Sequence, residues 1–345
     1  TCTPSRRKVQ PSLSLRKNSR RRENNNPSLR PKSRSACSGN CEDAFRQSGD
    51  RNRDCTRQAI NELNVSLPSK IKRMAHQILE GKKGIIFGAL DDQSIAWKTA
   101  ESVADAGGTF VLTNAPVAMR MGTINALAEK TGSQVIAADA TKMEDLGALI
   151  EQSQEILGGK IDFVLHSIGM SVNVRKGKHY TDLNHDWMTK GWDVSAVSFH
   201  KLMQCLYQKD AMNEWGSIVA LSYVAAQRTF PNYNDMADNK AYLESIARSF
   251  GYFFGKDKKV RVNTISQSPT LTTAGKGVAG LDGFLKYAEK MSPLGNATAK
   301  DCADYTVSLF SDYTRKVTLQ NLFNDGGFSN VGVSQDIIDA ISDEE

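Results

Sequence analysis

The segment KKGIIFGALDDQSIAWKTA sets Gly88 at the end of an apolar run and Ser94 at a helix-capping position. Backbone N–H groups and the helix dipole at such a turn favour an anion, and a dinucleotide pyrophosphate is the obvious guest. Leu90 stands where the second glycine of G-x-G-x-x-G would be, so the turn alone is a weak signal. Three further segments add to it. Asp139-Ala140 offers a carboxylate to an adenine amino group, or an ordinary cap to the helix that follows. HSIGMS (His166–Ser171) supplies small residues where backbone must approach a ring or a ribose. SQSPTLTTAGKG supplies the hydroxyls of Thr270, Thr272 and Thr273 to phosphate oxygens. A last segment, LSYVAAQRTFPNYNDMADNKAYLESIARSFG, spaces Tyr223, Tyr233 and Lys240 as Tyr-x9-Tyr-x6-Lys. Phenols and amines of this kind do acid–base and hydroxyl-binding work, although Tyr223 could be strand-end core and Lys240 a solvated helix residue.

These segments need a frame that brings them to one place. Short β-branched or aromatic runs at Gly84–Phe87, Thr109–Thr113, Gln134–Ala137, Ile161–His166, Ser217–Ser222, Val260–Ile265 and Thr318–Leu322 alternate with helical patterns. The pattern predicts a single α/β domain, a Rossmann-like, doubly wound sheet of seven parallel strands. Ligands of such sheets lie outside the carboxyl ends of the strands, and each segment named above sits at such an end. The helix from about Ala241 to Phe254 carries Leu243, Ile246, Ala247, Phe250, Phe253 and Phe254 on one stripe, apolar enough for a core face and a subunit-packing face together.

The chain of 345 residues is 40% hydrophobic, 24% charged and 8% aromatic, a globular composition. Mean hydropathy is −0.42, and no apolar run approaches the roughly 18 residues of a membrane helix, so no membrane association is expected. Charge divides unevenly. Residues 1–73 hold 18 of the 44 Lys+Arg and 6 of the 38 Asp+Glu, a local net of +12, which leaves −6 on the remainder. This basic, Ser-, Asn- and Pro-rich leader is expected to be disordered. It reads first as an appended or mis-assigned segment ahead of Met74, second as an organelle-targeting sequence, and least as a nucleic-acid arm, since its arginines lack interleaved aromatics. Cys37-x3-Cys41 lacks a second ligand pair, and no metal is expected. Only Cys205 and Cys302 fall in the body, which suits a reducing, cytoplasmic setting, or an organelle if the leader is a targeting sequence.

The body, over roughly residues 78–335, resembles the enoyl-acyl-carrier-protein reductases of the short-chain dehydrogenase superfamily. The motifs that carry the resemblance are GALDDQSIA, HSIG, the Tyr223/Tyr233/Lys240 spacing, SPTLTT and FNDGGF. Carbonyl-reducing members of the superfamily place Lys four residues after Tyr, one helical turn away, where the ammonium lowers the phenol's pKa. Here Ala237 stands four after Tyr233 and Met236 four before Lys240. The one Tyr-x3-Lys, Tyr252 to Lys256, lies too far past the fifth strand to face a cofactor. The resemblance implies hydride transfer from reduced nicotinamide to the β-carbon of an enoyl thioester. It gives Tyr233 the enolate oxygen, Lys240 the nicotinamide ribose and Tyr223 the polar end of the pocket. It implies cofactor contacts from Gly88, Ser94, Ile95, Ala115, Asp139, Ala140, Ser167, Ile168, Gly169 and Lys240, and from Thr270, Leu271, Thr272, Thr273 and Ala274. Ser171, Tyr223, Met236 and Phe284 would meet the substrate, and the family assembles as a homotetramer.

Gly275, Gly277, Gly280 and Gly283 predict a mobile lid over about 270–290 rather than a stable helix. Lys276, Lys286 and Lys290 are candidates for docking an acidic acyl carrier protein. No Asp or Glu between Thr109 and Ala128 stands ready for a ribose 2′-hydroxyl, and Arg120 offers a partner for a 2′-phosphate. Asn114-Ala115 in place of a basic pair favours NADH, with NADPH the alternative. Two rival functions stay open, a carbonyl or alcohol dehydrogenase and a non-catalytic dinucleotide sensor with a nucleic-acid arm.

Overall fold

The computed structural model describes residues 77–120, 123–273, 275–278 and 280–342. The leader at 1–73, Met74 and Ala274 lie outside the described residues. Seven strands, β1 (Lys83–Phe87), β2 (Thr109–Asn114), β3 (Gln134–Ala137), β4 (Ile161–His166), β5 (Met212–Ser222), β6 (Arg261–Gln267) and β7 (Asn321–Asn324), form one sheet in the order β3-β2-β1-β4-β5-β6-β7. Every pair is parallel. The order steps outward in both directions from β1 and β4, so their carboxyl ends flank the crevice where such folds hold ligands.

Helices cover both faces: α1 (Ile95–Asp105), α2 (Pro116–Met119), α3 (Ile124–Thr131), α4 (Met143–Leu157), α5 (Val172–Arg175), α6 (His185–Trp192), α7 (Ser198–Gln208), α8 (Asn234–Lys258), α9 (Leu281–Met291), α10 (Ala299–Phe310) and α11 (Gln335–Ser342). The strands are apolar on both sides, as a sheet covered on both faces requires. Ile85, Val164 and Ile218 face a core with α4, α7 and α8, whereas Ile86, Leu165 and Val219 face one with α1 and α10. Gly84 is glycine because the Phe163 ring lies against its backbone, where a Cβ would overlap it; Phe163 in turn stacks on Phe310 at 4.7 Å.

Strand positions match the sequence expectation, with shifts at the ends. The seventh strand begins at Asn321 rather than Thr318, because Leu319 takes a left-handed φ of 61°. The long helix is α8 and starts at Asn234, not Ala241. Of its predicted stripe, Leu243, Ile246, Ala247 and Phe254 are buried, but Phe253 is exposed beside Tyr252.

Helix α10 opens with a capping box in which Thr298 accepts from the Asp301 N–H at 3.2 Å and Asp301 accepts from the Thr298 N–H at 2.7 Å. Thr298→Ala is therefore expected to lower stability by about 1 kcal/mol, read from the urea midpoint.

Candidate active site

A cavity of about 400 Å³ opens at the carboxyl ends of β1, β4, β5 and β6. Its floor begins at Gly88, whose φ of +94° is left-handed and whose missing Cβ leaves room for the Ser167 carbonyl oxygen. Only glycine satisfies both demands, so the turns after β1 and β4 are locked backbone to backbone. Ser94 caps α1, accepting from the Trp97 N–H at 3.4 Å and donating to the Asp91 carbonyl at 2.7 Å. This is a capped helix start beside a glycine cradle, the arrangement that suits a pyrophosphate.

The loop after β4 forms the next wall. Ser171 caps α5 and donates to Asp235 at 2.6 Å, while Asn173 donates to the other Asp235 oxygen at 3.1 Å. These bonds join the loop to the start of α8, where Tyr233 sits. Asn234 takes a φ of +43°, a conformation asparagine tolerates better than most residues, and donates to the Lys178 carbonyl. Behind the loop, one π-helical turn at Asp193–Val197 aims Ser195, which accepts from the Met170 N–H and donates to the Met170 carbonyl, each at 2.9 Å.

Tyr223 and Tyr233 meet edge to face with centroids 5.0 Å apart. No described residue hydrogen-bonds to either phenol oxygen. Burial pushes both phenols well above the usual tyrosine value, and each further raises the case for a neutral donor at ordinary pH. Lys240 is buried and donates to the Leu221 carbonyl at 2.7 Å. Burial drives its pKa down to about 8, and Glu244 opposes that fall. His166, fully buried, is pushed down to about 3 by burial and by Lys240, so it is neutral. Ser198 donates to the Val194 carbonyl at 2.7 Å, which leaves its oxygen to accept from His166 Nε2 at 3.0 Å.

Of the residues singled out in the sequence, Gly88, Ser94, Ile95, Ser167, Ile168, Gly169, Ser171, Tyr223, Tyr233, Met236, Lys240, Thr270, Thr272, Thr273 and Phe284 all line this cavity. Ala115, Asp139, Ala140 and Leu271 do not. Asp139 instead closes its own turn, accepting from the Thr141 N–H at 3.0 Å and hydroxyl at 2.7 Å. Burial raises its pKa, but those bonds with Lys142 and Lys201 hold it below the usual value. The threonines are also engaged locally: Thr270 donates to the Ser268 carbonyl at 2.9 Å, and Thr272 accepts from the Gly275 N–H at 2.9 Å. Tyr252 stands outside the cavity, with Lys256 5.8 Å over its ring.

Two features were missed. The predicted lid contains the helix α9, because Gly275 and Gly277 fall in a single 3-10 turn and Gly280 supplies the left-handed start. Phe230 also lines the cavity and links Tyr223 at 5.2 Å to Phe284 at 5.9 Å. Its place between the two tyrosines was visible in the sequence, but an aromatic before proline carries no chemical signal of its own.

The family profile described as enoyl-(acyl carrier protein) reductase matches residues 88–329. The chain belongs to the enoyl-acyl-carrier-protein reductase family. Among relatives of this reductase is enoyl-[acyl-carrier-protein] reductase [NADH] 1 of Rhizobium meliloti, 31% identical over 261 residues, covering 75% of this chain and 94% of the relative. The Bacillus cereus enzyme is likewise 31% identical, over 74% of this chain and 100% of its own length. The FabI–NADH complex of Alistipes finegoldii superposes with a TM-score of 0.75 at 62% identity, over 75% of this chain and 92% of that one. The enoyl reductase fold therefore accounts for the cavity and for the seven-stranded sheet beneath it.

Proposed function

We propose that this enoyl-acyl-carrier-protein reductase saturates the trans-2 double bond of an enoyl thioester with NADH, through the Tyr223–Tyr233–Lys240 constellation. The observation that carries the reading is the pair of phenols 5.0 Å apart, lining one cavity with a buried amine. When bound, NADH supplies a hydride to the substrate β-carbon. Gly88 and capped Ser94 offer the pyrophosphate a cradle, and Lys240 holds the nicotinamide ribose hydroxyls. Negative charge then develops on the thioester oxygen, several bonds from the hydride acceptor. Tyr233, neutral because it is buried, donates to that oxygen, and Tyr223 closes the polar end of the pocket. The distance between phenol and amine in the sequence fits an acceptor oxygen displaced from the carbon that is reduced.

Ser171, Met236 and Phe284 border the acyl side, and the segment at about 270–290 acts as lid over it. Lys276, Lys286 and Lys290 are exposed on that segment and offer the acyl carrier protein a local basic patch on a body of net negative charge. The exposed Tyr252 and Phe253 on α8, and Trp192 against Tyr242 at 5.5 Å, support self-association into the homotetramer. Among the described residues no helix is long and apolar enough to cross a membrane. The preference for NADH rests on Asn114, which lines the cavity and donates to the Ala89 carbonyl at 3.0 Å where a basic residue would serve a 2′-phosphate.

Following dinucleotide oxidation with crotonyl and acetoacetyl thioesters tests the reading. Turnover of the crotonyl compound, faster with NADH than with NADPH, is the expected result. Turnover of the acetoacetyl compound alone would identify a carbonyl reductase.

A further inference from the structure

One buried ionisable group takes no part in the mechanism above. Glu244 lies one helical turn beyond Lys240 on α8, and only 4% of it is exposed. Ser222 donates to one carboxylate oxygen at 2.6 Å and Gln227 to the other at 3.3 Å. Both carboxylate oxygens are therefore held in place by side chains outside α8. Ser222 is the residue immediately before Tyr223, and Gln227 ends the turn that follows it. The carboxylate is thus tied to side chains on either side of Tyr223, one helical turn from Lys240, whose amine bonds to the carbonyl of Leu221, the residue before Ser222.

Lys240 is itself 6% exposed, and its only protein partner among the described residues is the Leu221 carbonyl, a neutral acceptor. A buried ammonium without a counter-charge loses its proton readily. The titratable groups around it are Glu244 and Tyr233 on α8, His166 at the end of β4 and Tyr223 after β5, with Asp91 and Arg175 lining the same cavity. The phenols and the imidazole are neutral; Asp235, buried on the same helix, is taken up by Ser171 and Asn173, and Glu244 is the carboxylate that opposes the effect of burial on the amine.

We propose that Glu244 is a positioning residue of the reductase site: its carboxylate, fixed by Ser222 and Gln227, keeps Lys240 charged for binding the dinucleotide ribose. The inference rests on the assignment of Lys240 given above. A carboxylate raises the pKa of a neighbouring amine, so removing its charge lowers that pKa, and the charged amine is lost at a lower pH.

The experiment is a fluorescence titration of NADH against the full chain and Glu244→Gln between pH 6.5 and pH 10. The unaltered protein should lose affinity as pH rises through about 8. In Glu244→Gln that midpoint should fall by about one pH unit, with affinity at the acid end within a few-fold of the original, as removal of one nearby charge predicts. An unshifted midpoint in a folded variant overturns the proposal. Should the variant fold poorly, Ser222→Ala/Glu244→Met replaces the hydroxyl–carboxylate pair by apolar groups, removes the same charge, and must show the same fall. A shifted midpoint without enoyl turnover by the unaltered protein would keep the charge pairing and remove the reductase reading. Turnover with an unshifted midpoint would do the reverse.

Discussion

Tyr233→Phe is expected to lower kcat by about 10²- to 10⁴-fold, the usual worth of a positioned proton donor, while NADH still binds. The substitution removes one oxygen and leaves the ring, so the edge-to-face contact with Tyr223 at 5.0 Å persists. No described residue hydrogen-bonds to the lost hydroxyl, so no protein partner is orphaned and the fold is spared. Single-turnover kinetics with crotonyl thioester separate the chemical step from binding. An unchanged hydride-transfer rate would remove Tyr233 from its role. Because burial holds the phenol neutral well above the usual tyrosine value, its protonation should impose no limb on the pH profile near neutrality.

Lys240→Ala should weaken NADH binding by roughly 10- to 100-fold, since a hydrogen bond to a charged group is worth about 1.5–3 kcal/mol. Its effect on the chemical step with saturating NADH should be smaller. The Leu221 carbonyl would then lose its Lys240 donor in a buried site, so a fall in Tm should accompany the loss. Fluorescence titration reads the affinity directly, and an unchanged dissociation constant would place the ribose elsewhere. The two substitutions act on opposite parameters, which makes the pair more informative than either alone.

The frame was legible because parallel strands buried on both faces read as short apolar runs, and all seven appear in order. That Tyr223, Tyr233 and Lys240 share one cavity was legible as spacing within one segment, since β5, its turn and the start of α8 are contiguous in the chain. Ala115, Asp139, Ala140 and Leu271 do not line the cavity. Whether a side chain faces a cavity or its own turn depends on a few backbone angles, and Asp139 accepts from Thr141 in its own turn. The helix within the segment at about 270–290 was not legible for a related reason. Glycine content argues against helix, but Gly280 gives α9 its left-handed entry, and Phe284, Ala288 and Met291 supply an apolar face. Glu244 had a sequence signal in its four-residue spacing from Lys240, which places the two on one helix face. Its burial required the fold.

Every strand pairs only with parallel neighbours, so no two can be zipped together by a tight hairpin. From the end of β4 at His166 to the start of β5 at Met212 the chain must leave the sheet, build helices and return. Such long closures slow folding, because chain entropy is lost before the distant contacts reward it. Partly assembled sheets thus persist long enough to meet one another, and their bare rims are templates for aggregation. The outermost strands in the finished order, β3 and β7, are four residues each, which leaves little rim for a stray chain to extend.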